Sequence, residues 1–179
     1  WKEKQVAGEA YPRRAAINSL GAGGYLAHII LEEPEAQTQE KDEPENETIC
    51  VPVSSNTKRG LIRNVKNLAG FIEKNPSVSL HAIAYNLREN RQDYTYRAAF
   101  LSDNKDTLCQ NMKQFINGNY DQIDIVTNLE RGKEYPVNNT DTSNTTAYEW
   151  VIGKHVNWPE SEKKYGKIPL PGYSFEKVH

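Results

Sequence analysis

Apolar side chains recur at helical spacing in three separate stretches of this chain. In residues 58–75, Leu61, Ile62, Val65, Leu68, Ala69 and Ile72 fall on one face, which predicts an amphipathic helix. Asn75-Pro76 ends it, because the residue before a proline is pushed out of the α region. Ser79 is placed to cap a second helix, with Leu80, Ile83, Ala84 and Leu87 facing inward and Asn90 closing it. Asp103 or Asn104 caps a third, whose apolar face carries Leu108, Met112, Phe115 and Ile116 and whose stop is Gly118. A fourth is expected over residues 146–153, bearing Tyr148, Trp150 and Val151.

Short apolar runs separate these helices. Residues 49–55, 96–101 and 123–126 read as strands, and Pro52 makes the first an edge strand or a bulged one, since proline cannot donate to a ladder. The order β-α-α-β-α-β predicts an α+β fold: a small three-stranded sheet packed with three to four helices, with extended N- and C-terminal arms. The amphipathic faces need that sheet to be buried. Upstream, a glycine cluster (Gly21, Gly23, Gly24) precedes Ile29-Ile30-Leu31, which places His28 where a tight turn enters a strand. Residues 34–47 are charged and punctuated by proline and read as a linker; residues 131–146 are polar and read as a loop. In the last stretch, YGKIPLPGYSF, the breakers Pro169, Pro171 and Gly172 rule out a helix or a central strand. Its apolar groups still favour burial, so it is expected to lie extended across a surface.

Composition narrows the picture. A hydrophobic fraction of 37% and a mean hydropathy of −0.79 fit one small core with long polar arms. The 22 basic and 24 acidic residues are interleaved, so no basic footprint for nucleic acid exists. No apolar window approaches the roughly 18 residues of a membrane span, and no signal peptide is present. Cys50 and Cys109 lie far apart without metal-ligand neighbours and read as small buried hydrophobes in a reducing cytoplasm. A start at Trp1 rather than Met suggests a piece of something longer. His81, His155 and His179 form no i, i+4 pair, so no metal site is expected. Glu32 and Glu33, adjacent on a strand, point to opposite faces and cannot share acid–base work. The glycine cluster lacks the following Lys-Ser/Thr of a phosphate loop, and the N-x-T sequons at Asn46, Asn138 and Asn144 read as chance matches.

Residues 11–33, YPRRAAINSLGAGGYLAHIILEE, resemble the C-terminal end of a polyketide synthase ketosynthase domain. There a Gly-Gly turn carries one of two active-site histidines and the next strand ends in Glu-Glu. His28 stands at that histidine's place, with Leu20, Tyr25 and Leu26 where the family has Phe, a small hydroxyl residue and Asn. Ala84-Tyr85-Asn86-Leu87 through Arg91 resembles the Ala-Tyr-Thr-Leu … Gly-Arg signature of the linker domain, or flanking subdomain, that follows ketosynthases; Asn90 replaces the glycine. Trp150, Gly153, Trp158, Leu170, Pro171, Tyr173 and Phe175 resemble the terminal linker, where a Trp-x-x-Gly helix, a second Trp and a Leu-Pro-x-Tyr-x-Phe segment recur. The resemblance implies a ketosynthase remnant at 1–33, a linker at 34–47, the linker domain at 48–158 and a wrapping linker at 159–179. No acyltransferase lies between the last two, which is similar to synthases whose acyltransferase acts in trans.

Ketosynthase chemistry needs a cysteine nucleophile and two histidines. The cysteine elbow and the first histidine motif are absent, so no residue of this chain is expected to be catalytic by itself, His28 included. The resemblance implies a noncatalytic domain that orients the ketosynthase body and docks a trans-acting acyltransferase or an acyl carrier protein. No cofactor is expected; phosphopantetheine would sit only on the carrier protein. Two alternatives stand: part of a split or truncated ketosynthase contributing His28, and a module for lateral self-association. The basic clusters Arg13-Arg14 and Arg59, Arg63 with Lys58 and Lys66 are either solvated faces or docking charges. Trp150, Trp158, Tyr173 and Phe175 are either core or a surface that abuts the ketosynthase body.

Overall fold

Apolar side chains on both sides of a glycine turn fold the N-terminal stretch back on itself. The computed structural model describes residues 4–6, 9–33, 47–121, 124–129, 142–158 and 165–175, which fall into two units, 1–38 and 39–179. In the first unit β1 (Lys4–Val6) pairs with β2 (Glu9–Tyr11), and β3 (Arg14–Leu20) with β4 (Leu26–Glu32), both antiparallel. The turn of the second hairpin needs Gly24, whose φ is +82°. Its N–H donates to the Gly21 carbonyl at 3.0 Å, and the Gly21 N–H donates to the Tyr25 carbonyl at 2.8 Å. The expected extended arm is therefore strand that pairs with itself. Reading along the chain finds β4 but not β3, because Ala15, Ala16, Asn18 and Ser19 give β3 no alternation of its own.

The second unit runs β5 (Ile49–Ser55), α1 (Lys58–Lys74), α2 (Leu80–Glu89), β6 (Tyr96–Ser102), α3 (Lys105–Ile116), β7 (Ile125–Thr127) and α4 (Thr142–Val151). Its sheet has the order β5-β6-β7 and is antiparallel throughout. Pro52 lies on edge strand β5, opposite Ala99, where its missing N–H costs no ladder bond. Thr57 Oγ1, Ser79 Oγ and Asn104 Oδ1 cap α1, α2 and α3 by accepting from the N–H of Gly60, Ala82 and Thr107 at 2.9, 3.0 and 2.8 Å. The period-2 alternation of the strands divides the core in two. Ile49, Val51, Val53, Ala98, Phe100 and Ile125 pack against α1, α2 and α3. Cys50, Ala99, Leu101 and Val126 pack on the other face, against Ala147, Trp150 and Val151 of α4.

Two elements are shifted from their expected places. Of the third strand expected over 123–126, residue 123 lies outside the described residues; the strand is Ile125–Thr127, extended to Thr127 because its buried hydroxyl donates to the Arg97 carbonyl at 2.8 Å and so behaves as a core residue. Helix α4 starts at Thr142 rather than 146: its first turns are polar and carry no apolar period to mark them. The proposed linker falls on residues 34–47, of which 34–46 lie outside the described residues, as do 131–141 of the polar loop.

Cys50 is fully buried against α4, and burial pushes its thiol up to about 12 against the opposing pull of Arg88. The partly buried Cys109 is also raised, first by desolvation. A disulfide reagent at about pH 8 is expected to modify the folded chain slowly and only at Cys109, and both thiols in denaturant. Fast labelling of Cys50, read by peptide mass, would contradict this packing.

Candidate functional site

The register of β3 and β4 sorts the hairpin's side chains into two faces. Arg14↔Glu32, Ala16↔Ile30, Asn18↔His28 and Leu20↔Leu26 share one, and Ala15↔Leu31, Ile17↔Ile29 and Ser19↔Ala27 share the other. Ile17, Leu20, Leu26, Ile29, Ile30 and Leu31 are each between 51% and 78% exposed. A two-stranded hairpin cannot bury both of its faces, and alone it is marginally stable in water. Two apolar faces are the mark of strands that sit inside a covered sheet.

Charge closes the open end of this hairpin. Glu33 accepts from the Arg13 side chain (Nε at 2.8 Å, and Nη2) and from the Arg13 backbone N–H at 3.1 Å. Glu32 pairs with Arg14. Each glutamate thus answers its own arginine on its own face. The side-chain and backbone hydrogen bonds from Arg13 lower the Glu33 carboxyl to about 2. Its folded-state value is depressed, so its contribution is present above the ordinary carboxylate pKa of about 4.3 and is lost as pH falls toward 2. Carboxyl carbon shifts should titrate Glu33 with a midpoint near 2, and Arg13→Ala should return it to the ordinary range. An unshifted Glu33 in the parent chain would disprove the clamp. His28 is exposed, and its Nδ1 contacts Asn18 Oδ1 across the strands.

In the second unit, residues 165–175 form no helix or strand and lie as a strap over α1, α2 and the end of β5. Leu170 inserts into the core, 8% exposed. Buried Asn86 holds the strap from α2: its Nδ2 donates to the Gly166 carbonyl and to its own helix at Ala82, both at 2.9 Å. Its Oδ1 accepts from the Ile168 N–H at 3.3 Å and from Asn90 Nδ2 at 3.2 Å. Arg91 Nη2 reaches the Leu170 and Pro171 carbonyls at 3.4 and 3.3 Å. From α1, Asn64 Oδ1 accepts from the Ser174 N–H, and Asn67 Nδ2 donates to Ser174 Oγ, each at 3.0 Å. The Tyr173 hydroxyl meets Ser55 Oγ and the Asn56 N–H, both at 3.1 Å, and its ring packs on Tyr94 at 4.9 Å.

The residues singled out from the sequence are thus dispersed. Arg13 and Arg14 are engaged at the hairpin mouth. Arg59 is exposed on α1, Arg63 Nη1 donates to the Phe175 carbonyl at 3.3 Å, and Lys58 lies 5.7 Å from the Tyr120 ring. Trp150 is core; Trp158 is partly buried, 6.0 Å from Trp150 and 4.9 Å below the Arg88 guanidinium. Tyr173 is partly buried in the strap, and Phe175 is 80% exposed at its end. His81 is partly buried near Glu47, His155 is exposed, and His179 lies outside the described residues. Nothing in the sequence marks Asn64 as an anchor of the strap; an asparagine inside an otherwise apolar helix face is the signal that marks Asn86. Among the described residues no group of three His, Cys, Asp or Glu could hold a metal, and no helix is long and apolar enough to cross a membrane.

A family model described as the ketoacyl-synthetase C-terminal extension matches residues 2–101. The chain belongs to this family. It is 32% identical over 183 residues to polyketide synthase PksM of Bacillus subtilis (strain 168), covering 93% of this chain and 4% of PksM. The extension also superposes on solved ketosynthases. Ketosynthase twelve of the bacillaene synthase from Bacillus amyloliquefaciens is 30% identical with a TM-score of 0.62, covering 92% of this chain and 27% of that one. An oxazolomycin ketosynthase domain from Streptomyces albus is 28% identical with a TM-score of 0.64, covering 97% and 29%. The resemblance to the end of a polyketide synthase ketosynthase therefore holds along the chain, in an α+β fold. The extension spans only a few per cent of the length of the synthase it matches.

Proposed function

We propose that this extension is a noncatalytic positioning and docking element of a polyketide synthase of the trans-acyltransferase type. The hairpin completes a covered sheet of the ketosynthase body. The strap fixes the direction in which the polypeptide leaves the domain, so the ketosynthase is held at a set angle to the next domain. The observation that carries the reading is the strap: five side chains from α1, α2 and the loop after α2 (Arg63, Asn64, Asn67, Asn86, Arg91) grip its backbone or side chains over ten residues. A linker that only tethered would need no such grip. The exposed Arg59 and the neighbouring basic positions of α1 offer a docking face to an acyltransferase or an acidic carrier protein. Phosphopantetheine enters this scheme on the carrier protein, and two free thiols suit a cytoplasmic protein.

The test is titration of the chain with a discrete acyltransferase and with a holo carrier protein. Binding at or below about 100 µM, some 5.5 kcal/mol, is expected for at least one, and it should weaken with salt and in Arg59→Glu. No binding of either at that level removes the docking role. A second reading is favoured by the pairing of His28 with Asn18: a ketosynthase body completed by this hairpin would use His28. Acyl transfer by the reconstituted complex, unchanged in His28→Ala, would end it.

A further inference from the structure

The strap does not seal the domain. Between it, edge strand β5 and the loop after α2 lies a cavity of about 280 Å³, far larger than the single-water voids of a close-packed interior. Pro52, Val53, Leu68, Leu87, Leu170 and Trp150 give it apolar walls. The polar side chains deep in its lining are spent on the protein. Ser54 Oγ donates to the Gln92 carbonyl at 3.3 Å and accepts from the Tyr94 N–H at 3.1 Å, and Asn64 holds Ser54 and Ser174. Two donors of the lining are not spent. The Nε1–H of Trp150, a residue 2% exposed, has no partner among the described residues. Arg91, on the exposed rim, bonds the strap through Nη2 alone, which leaves its Nε and Nη1 open among the described residues. A buried N–H without a partner costs free energy that an incoming acceptor recovers. This lining suits a chain with a neutral, mostly alkyl body, a carbonyl acceptor along it and an anionic group at one end. Helix α1, which carries Arg59 and Arg63, contributes Asn64 and Leu68 to the same walls, so the cavity adjoins the basic face that offers a dock to a carrier protein. We propose that the cavity receives the phosphopantetheine arm of that carrier protein. The arm's alkyl part lies against Leu68, Leu87 and Leu170, an amide carbonyl accepts from Trp150 Nε1, and the phosphate pairs with Arg91. The arm is held there without covalent change. Its delivery rests on the carrier-docking reading; the cavity's own affinity for the arm does not.

Titration of the nitrogen-labelled full chain with free phosphopantetheine and with pantetheine tests this, read at the indole N–H signals. Trp1→Phe and Trp158→Phe assign the signal of Trp150. That signal should move downfield and saturate with a dissociation constant of about 1 mM or tighter for phosphopantetheine. Pantetheine, which lacks the phosphate, should bind several-fold more weakly, and Arg91→Gln should abolish the difference. Two variants fill the cavity. Gly172 belongs to its lining, and a Cβ there would meet no atom within 4 Å, so Gly172→Leu adds bulk without strain. Leu87→Trp adds it from α2. At least one of them should weaken binding tenfold or more while keeping the parent's unfolding midpoint. A Trp150 signal unmoved at about 10 mM phosphopantetheine overturns the proposal, as does binding unchanged in both filling variants, or a preference for the phosphate that survives Arg91→Gln. Arg59→Glu should weaken docking of the carrier protein and leave binding of the free arm unchanged, so failure of the dock and failure of the cavity are told apart.

Discussion

Trp150→Ala is expected to cost the second unit about 3–5 kcal/mol, the largest loss from any single truncation outside the first core layer. Trp150 is 2% exposed and lies between the sheet and α4, on Cys50, Ala99, Leu101 and Val126. Helix α4 has little else to hold it: its first turns are Thr, Ser and Asn, and its buried residues are Ala147, Trp150 and Val151. The Arg97 guanidinium sits 5.0 Å over the indole and donates to the Trp150 carbonyl at 2.6 Å, so the ring also orders the end of the helix. Removing it leaves a void that an edge helix of ten residues cannot refill without detaching. Against a typical total of 5–15 kcal/mol, such a loss should lower the midpoint of chemical unfolding sharply. Trp158→Ala should cost less than half as much, since Trp158 is only partly buried and packs mainly on Arg88 and Trp150. Hydrogen exchange should show α4 unprotected in Trp150→Ala while the β3–β4 hairpin is unaffected. A loss below about 1 kcal/mol would mean that the indole is not the keystone of this layer.

Local chemistry made much of the second unit legible. Two of the helices announce themselves twice, by an apolar period and by the Ser79 or Asn104 cap one residue before the first turn, and both signals are short-range; α1 announces itself by its period alone, and its Thr57 cap emerges only in the structure. The breakers Pro169 and Pro171 likewise foretold an extended strap. The elements that escaped depend on partners far along the chain. Strand β3 is a strand because Leu31, Ile30 and Ile29 lie opposite Ala15, Ala16 and Ile17, not because of its own sequence. Thr127 joins the sheet through the Arg97 carbonyl, thirty residues away. The strap's anchors are the clearest case: Asn64 and Asn86 are polar residues on amphipathic helices, and their partners are 110 and 80 to 82 residues downstream. Periodicity counts such residues as interruptions. Only the fold turns them into clamps.

Asn86→Leu should release the strap while sparing the helix that carries it. Leucine matches asparagine in size and forms helix better, so α2 should persist. What is lost is the pair of bonds that cross to the strap, Nδ2 to the Gly166 carbonyl and the Ile168 N–H to Oδ1, together with the Asn90 contact. The Gly166 carbonyl and the Ile168 N–H would then be partly desolvated and unpaired, at a combined cost of about 2–3 kcal/mol for strap docking. Local opening of the strap should become about 30- to 150-fold more frequent, read as lost exchange protection at Ile168 and faster proteolytic cutting within 165–175. Protection of β6 and α1 should hardly change, because among the described strap residues only Leu170 is buried in the core, and Tyr173 is only partly buried. Asn64→Ala should add to the effect, since it frees the Ser174 N–H at the other end of the strap. Unchanged protection at Ile168 would show that apolar insertion of Leu170 alone seats the segment, and the positioning role would then rest on one side chain rather than on a polar clamp.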